Sequence, residues 1–147
     1  GWPTPAALDE ITKLAENPPD GRAKVLALRG CFRLIPLQDA ADEVKLAAVQ
    51  RALALCERKE ERTLGLTALA EVPSTGALAA AGALLGDAEL REEAAVTVLA
   101  IAAKLPPAQA PEAVAATTRV TRAGVSAATA RRAQELLGQL QKPPAKK

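Results

Sequence analysis

LTALAEVPSTGALAAAGALLGD, Leu66–Asp87, decides what kind of object this chain is. An apolar helical run stops at Val72-Pro73 and restarts at Ser74. Proline removes a backbone donor and clashes with the preceding turn, whereas a serine hydroxyl satisfies the free amides of the next helix. The break is therefore a joint between two helices. The run is also rich in Ala and Gly, which leaves little side-chain chemistry and points to close helix packing around Ala79, Ala80, Gly82 and Ala83. The Gly82/Gly86 spacing also occurs in membrane helix pairs, but no run reaches the roughly 18 apolar residues of a spanning segment.

The same punctuation recurs along the chain. Helices are predicted over Pro5–Glu16, Arg22–Ile35, Asp42–Arg58, Glu60–Val72, Thr75–Leu85, Ala88–Lys104, Ala110–Arg122 and Ala127–Leu140. Stops fall at Asn17-Pro18-Pro19, Pro36, Pro73, Gly86-Asp87, Leu105-Pro106-Pro107 and Gly124, with caps at Asp20, Ser74, Asp87 and Ser126. The tail QKPPAKK, residues 142–147 with Gln141, is polar and Pro-bearing and reads as a flexible end to a single domain of residues 1–141.

Composition agrees. Of 147 residues, 49% are hydrophobic but only 1% aromatic, with Trp2 and Phe32 the whole inventory. Strands draw on aromatic and β-branched side chains, whereas Ala and Leu favour helices. The chain reads as all-α. Nineteen basic and 17 acidic residues leave a net charge of +2, which supplies no global field for steering nucleic acid or an anionic membrane. The chain begins at Gly1 rather than Met, and reads as a segment of something larger.

The helices also repeat. VLALRGCF (Val25–Phe32), TLGLTALA (Thr63–Ala70), EAAVTVLA (Glu93–Ala100) and RRAQELLG (Arg131–Gly138) align. A small residue falls at Ala27, Gly65, Ala95 and Ala133, and one turn later come Cys31, Leu69, Leu99 and Leu137. The offsets are 38, 30 and 38 residues. Each block thus puts a small and a larger apolar residue on one helix face, as a stack of helix pairs requires.

Helix–turn–helix units, Pro or Asp at the turns (Pro36, Asp39, Pro73, Asp87), and the segments LREEAAVTVLAIA and ERTLGLTALAEVPS give the chain its resemblance to a HEAT-like repeat domain. The second segment resembles Ala/Leu-rich HEAT-like stretches embedded in large multidomain bacterial proteins. The resemblance covers about residues 5–140. It implies a right-handed α-solenoid of about four antiparallel helix pairs, with the second helix of each pair lining a concave side. HEAT-like folds include some enzymes, among them DNA glycosylases and bilin lyases, whose chemistry relies on pocket aromatics and acids. This chain offers no aromatic-lined pocket.

Catalytic groups are scarce. There is no His, which removes Ser-His-Asp and Cys-His arrangements and the commonest zinc ligand. Cys31 and Cys56 fall on consecutive predicted helices at an offset of about ten residues, or ~15 Å, beyond the ~7 Å Cα limit for a disulfide. They read as separate buried thiols. Glu60/Glu61, Glu92/Glu93 and Asp39/Asp42/Glu43 lie in first turns, where the helix dipole favours exposed acids. No catalytic residue, cofactor or metal is expected.

The candidate partner-binding residues are Arg22, Arg29, Arg33, Arg131 and Arg132. Spacings of 7 and 4 put the first three within about 40° on one helix. Such a stripe suits phosphates or an acidic partner edge. The repeat offset carries them onto Glu60, Thr67 and Glu71, then Leu90, Thr97 and Ile101, then Ala128, Glu135 and Gln139. The basic track is therefore not continued, and nucleic-acid binding wants a continued one. Arg22–Glu60 and Arg33–Glu71 read instead as exposed inter-repeat ion pairs. Arg131 and Arg132 cluster with Arg119, Arg122 and the tail lysines Lys142, Lys146 and Lys147, either as a helix-end complement or as a phosphate or acidic-protein contact. The expected role is a non-catalytic interaction or spacer module that holds a protein or peptide partner, or neighbouring domains of the same chain. A nucleic-acid-binding solenoid using the Arg-rich edges is the alternative.

Overall fold

The computed structural model describes residues 5–141. Trp2 and the tail of residues 142–147 lie outside them. The described residues are all-helical, with no strand. In chain order the helices are α1 (Pro5–Glu16), α2 (Gly21–Leu34), α3 (Asp42–Leu55), α4 (Lys59–Ala70), α5 (Thr75–Ala83), α6 (Arg91–Lys104), α7 (Ala110–Thr121) and α8 (Ala127–Gln141). Short 3-10 turns at Ile35–Leu37 and Leu84–Gly86 tighten the ends of α2 and α5, and a third at Pro107–Gln109 leads into α7.

Local chemistry sets most helix ends. The Asp20 carboxylate accepts from the Ala23 amide at 2.7 Å, and the Ser74 hydroxyl accepts from the Ala77 amide at 3.0 Å. Each satisfies a donor that the first helical turn leaves free. Gly124, at φ +75°, makes the left-handed turn after α7 that a side chain would strain.

Most ends fall within two residues of the sequence reading, and two differ by three. Helix α3 stops at Leu55, three residues early, because Cys56 is already extended and the Arg58 amide donates to Glu61 at 2.9 Å. Helix α6 starts at Arg91, not Ala88. The Asp87 carboxylate accepts from the Glu89 amide at 3.0 Å, closing a turn two residues long instead of capping a helix.

The chain divides into two compact units, Gly1–Val72 and Pro73–Lys147, with the border at the Val72-Pro73 joint. In the first unit α1 packs on α2 and α3, α2 on α3 and α4, and α3 on α4. In the second, α5 packs on α6 and α7, α6 on α7 and α8, and α7 on α8. The recurring small positions Ala27, Gly65, Ala95 and Ala133 are all buried, as are Cys31, Leu69 and Leu99, while Leu137 is half-buried. Fully buried leucines such as Leu28 and Leu69 contribute ~1.5–3 kcal/mol each by leaving water.

With so few aromatics, the cores close through short side chains. A Cβ on Gly65 would run into Leu53 Cδ2 and fall 3.2 Å from Phe32 Cζ, so three helices meet at this residue. In α5 the buried face is Ala77, Leu78, Ala81 and Gly82, whereas Ala79 and Ala83 are exposed. The close approach expected around these small residues therefore does not extend to Ala79 and Ala83, and at Gly82 a side chain makes it. Arg119 of α7 donates to the Gly82 carbonyl at 3.3 Å. Buried Thr117 donates its hydroxyl to the Ala113 carbonyl at 2.7 Å, which satisfies a polar group that the core could not otherwise hold.

Candidate interaction surface on α2 and α4

Helices α2 and α4 share a face that is not closed over. On α2 and its 3-10 extension, Leu26, Gly30, Arg33 and Leu37 recur every three or four residues, with Arg29 beside them. On α4 the corresponding stripe is Glu60, Leu64, Thr67, Ala68 and Glu71. Such spacing keeps each set on one side of its helix. Together they line a hollow of about 830 Å³, floored in part by Phe32 and Pro36.

The repeat offset of 38 explains the register. It pairs Leu26 with Leu64, Arg29 with Thr67, Gly30 with Ala68 and Arg33 with Glu71, and all eight line the hollow. Leu26 and Leu37 are each 58% exposed and Leu64 is 38% exposed. Three leucines left in water within one hollow are unlike the scattered single apolar residues of an ordinary surface.

The two helices bring opposite charge to the hollow. Arg29 and Arg33 on α2 form no ion pair or side-chain hydrogen bond among the described residues, and Glu71 on α4 forms none either. The predicted pairs Arg22–Glu60 and Arg33–Glu71 are not made. Glu60 instead sits 3.8 Å from Arg58, on its own turn. Packed helix axes lie about 8–10 Å apart, so equivalent residues meet only if both side chains lean inward at an entropic cost. The ion pair that does link α2 to the α3–α4 turn is Lys24–Glu57 at 2.8 Å. Its hydrogen bond, and then its charge, hold the Glu57 carboxyl below the usual range.

Of the sequence candidates, Arg29 and Arg33 fall on the hollow. Arg22 is exposed on the first turn of α2, outside its lining. Arg131 lies with Gln134 and Glu135 on a shallow patch of α8, and Arg132 is exposed beside it. Arg119 reaches back to the Gly82 carbonyl.

The remaining chemistry is absorbed by the fold. Glu61 is 3% exposed and caps the start of α4. The Glu92 carboxylate accepts from the Ser126 amide at 3.0 Å, the Ser126 hydroxyl at 2.7 Å and the Thr129 hydroxyl. Glu61 is therefore not a solvated first-turn group, whereas Glu92 stays partly open to water while taking these bonds. Cys31 and Cys56 are both free and buried. Burial pushes the Cys56 thiol up to about 12, with Glu61 adding to the rise, and burial raises Cys31 against a hydrogen bond with Thr12. Neither thiol is activated. Among the described residues no cluster of His, Cys, Asp or Glu could hold a metal ion, and no helix is long and apolar enough to cross a membrane.

A second hollow, of about 220 Å³, lies beside α1 and α3. Three of its polar groups are already engaged: Lys45 donates to the Pro36 carbonyl at 3.2 Å, Gln38 to the Leu34 carbonyl at 3.1 Å, and Arg51 pairs with Glu16. Leu26, Leu37 and Leu64 were not among the sequence candidates. The signal for Leu26 and Leu64 was the shared Leu at the second position of VLALRGCF and TLGLTALA, which shows equivalence but not exposure. The chain matches no protein-family model, no curated protein and no solved structure.

Proposed function

We propose that this protein is a non-catalytic interaction module, a HEAT-like right-handed α-solenoid of about four helix pairs. Its second helices, α2, α4, α6 and α8, form the recognition side, and it grips a protein or peptide partner or positions neighbouring domains. The observation that carries this reading is the open hollow on α2 and α4, which holds three exposed leucines together with unpaired arginines on α2 and acids on α4.

The contact pattern supports the solenoid part. In each unit the first helices pack on each other (α1 on α3, α5 on α7), as do the second helices (α2 on α4, α6 on α8). A closed up-and-down bundle would instead put its first helix against its fourth, and that pairing is absent from the main contacts among the described residues. Against a nucleic-acid role stands the acidic rim: Glu60 and Glu71 line the same hollow as Arg29 and Arg33 and would repel phosphates.

The reading is tested by panning the immobilised protein with a displayed library of random 16-residue peptides and mapping binders by backbone amide shifts. Footprints on Leu26, Arg33 and Leu64, lost in the folded Leu26→Asp/Leu64→Asp variant, are expected. Binders that map elsewhere, or none, would overturn it.

A further inference from the structure

Resting on that reading, we infer that the α2–α4 hollow takes an amphipathic partner helix of about three turns, acidic along the edge over α2 and basic along the edge over α4. The backbone of α2 and α4 is bonded within each helix, so this face offers no free donors or acceptors to an extended strand. A peptide lying over Leu26, Leu37 and Leu64 must therefore satisfy its own backbone, and a helix does so. The lining runs from Leu26 to Leu37 on one side and from Glu60 to Glu71 on the other. Each stretch covers about 16 Å of axis, or three helical turns.

Spacing then fixes the chemistry. Arg29 and Arg33 are one turn apart, which matches carboxylates at i and i+4 of the partner. Glu60 and Glu71 stand at the two ends of the α4 rim, with Leu64, Thr67 and Ala68 between them. They match Lys or Arg about three turns apart on the opposite edge. Leucines at i, i+4 and i+7 meet Leu26, Leu37 and Leu64. Rim charges set partner choice more than affinity, so the pattern is a specificity device laid over an apolar contact.

Charge swapping tests it. Three synthetic 16-residue helices share one leucine stripe and differ only at the edges: acidic/basic, both acidic, and both basic. The folded protein is expected to prefer the acidic/basic peptide by about tenfold. Arg29→Glu/Arg33→Glu should transfer that preference to the both-basic peptide, and Glu60→Lys/Glu71→Lys to the both-acidic one, with circular dichroism unchanged in each. Equal affinities for all three peptides, still abolished by Leu26→Asp/Leu64→Asp, would sink the charge pattern and leave the interaction reading standing. If none of the peptides binds, the inference also falls. The interaction reading falls with it only where panning too finds nothing on this face.

Discussion

Gly65 and Gly138 are both helical glycines, and their surroundings give them opposite roles. Alanine at position 65 would drive its Cβ to 2.8 Å from Leu53 Cγ, well inside contact distance and not only at the tip of that side chain. Overpacking of this kind costs ~1–3 kcal/mol, against roughly 1 kcal/mol gained in helix propensity. Gly65→Ala should therefore destabilise the fold by about 1 kcal/mol. Nothing lies within 4 Å of a Cβ at Gly138, so Gly138→Ala should stabilise by about 0.5 kcal/mol through backbone entropy alone. Urea unfolding of the two variants would show shifts of opposite sign; shifts of the same sign would contradict the packing at Gly65. The alignment marked Gly65 as a position requiring a small residue. It could not tell that Leu53 and Phe32 are what make it so.

At the scale of elements, the start of α8 is held by a residue from α6. Glu92 takes hydrogen bonds first from the Thr129 and Ser126 hydroxyls and then from the Ser126 amide, and these hold its carboxyl below the usual range. A negative charge also suits the amino end of a helix. Because the folded value is depressed, the stabilisation is complete above the unfolded value of about 4.3 and fades as pH falls through the folded one. Glu92→Gln should accordingly be less stable than the parent at pH 6, with the gap in urea midpoint narrowing as pH falls below about 4. A gap independent of pH would mean the charge plays no part. Ser126 was legible as a cap. Its carboxylate partner, 34 residues away, was not, because no local rule links a first-turn acid of one helix to the first turn of another.

For the whole molecule, the division at Val72-Pro73 separates two units that each have a core: Leu28, Leu66 and Leu69 in one, Val98, Ile101 and Val120 in the other. Fragments 1–72 and 73–147 should each be helical by circular dichroism, though units of this size are marginal. In a continuous solenoid, stability is a sum of repeat and neighbour terms. The intact chain should then unfold at a higher urea concentration than either fragment. Fragments that unfold where the intact chain does would count against a continuous stack.

The amino-acid sequence alone determined that this chain is helical, and where most helices begin and end. Those outcomes rest on Pro73, Ser74, Asp20 and Gly124 acting on their own neighbours within one turn, and on an Ala/Leu composition that strands disfavour. It also placed Arg29 and Arg33 on one face and paired Leu26 with Leu64 through the offset. Tertiary structure decided which of these residues stayed in water. Leu28 and Leu26 are two residues apart on one helix, yet one is buried under a neighbouring helix and the other is left open. Helical spacing already puts Leu26 on the arginine face and Leu28 opposite it, but that Leu64 would lie beside Leu26 across one open hollow depends on how α4, distant in the chain, packs.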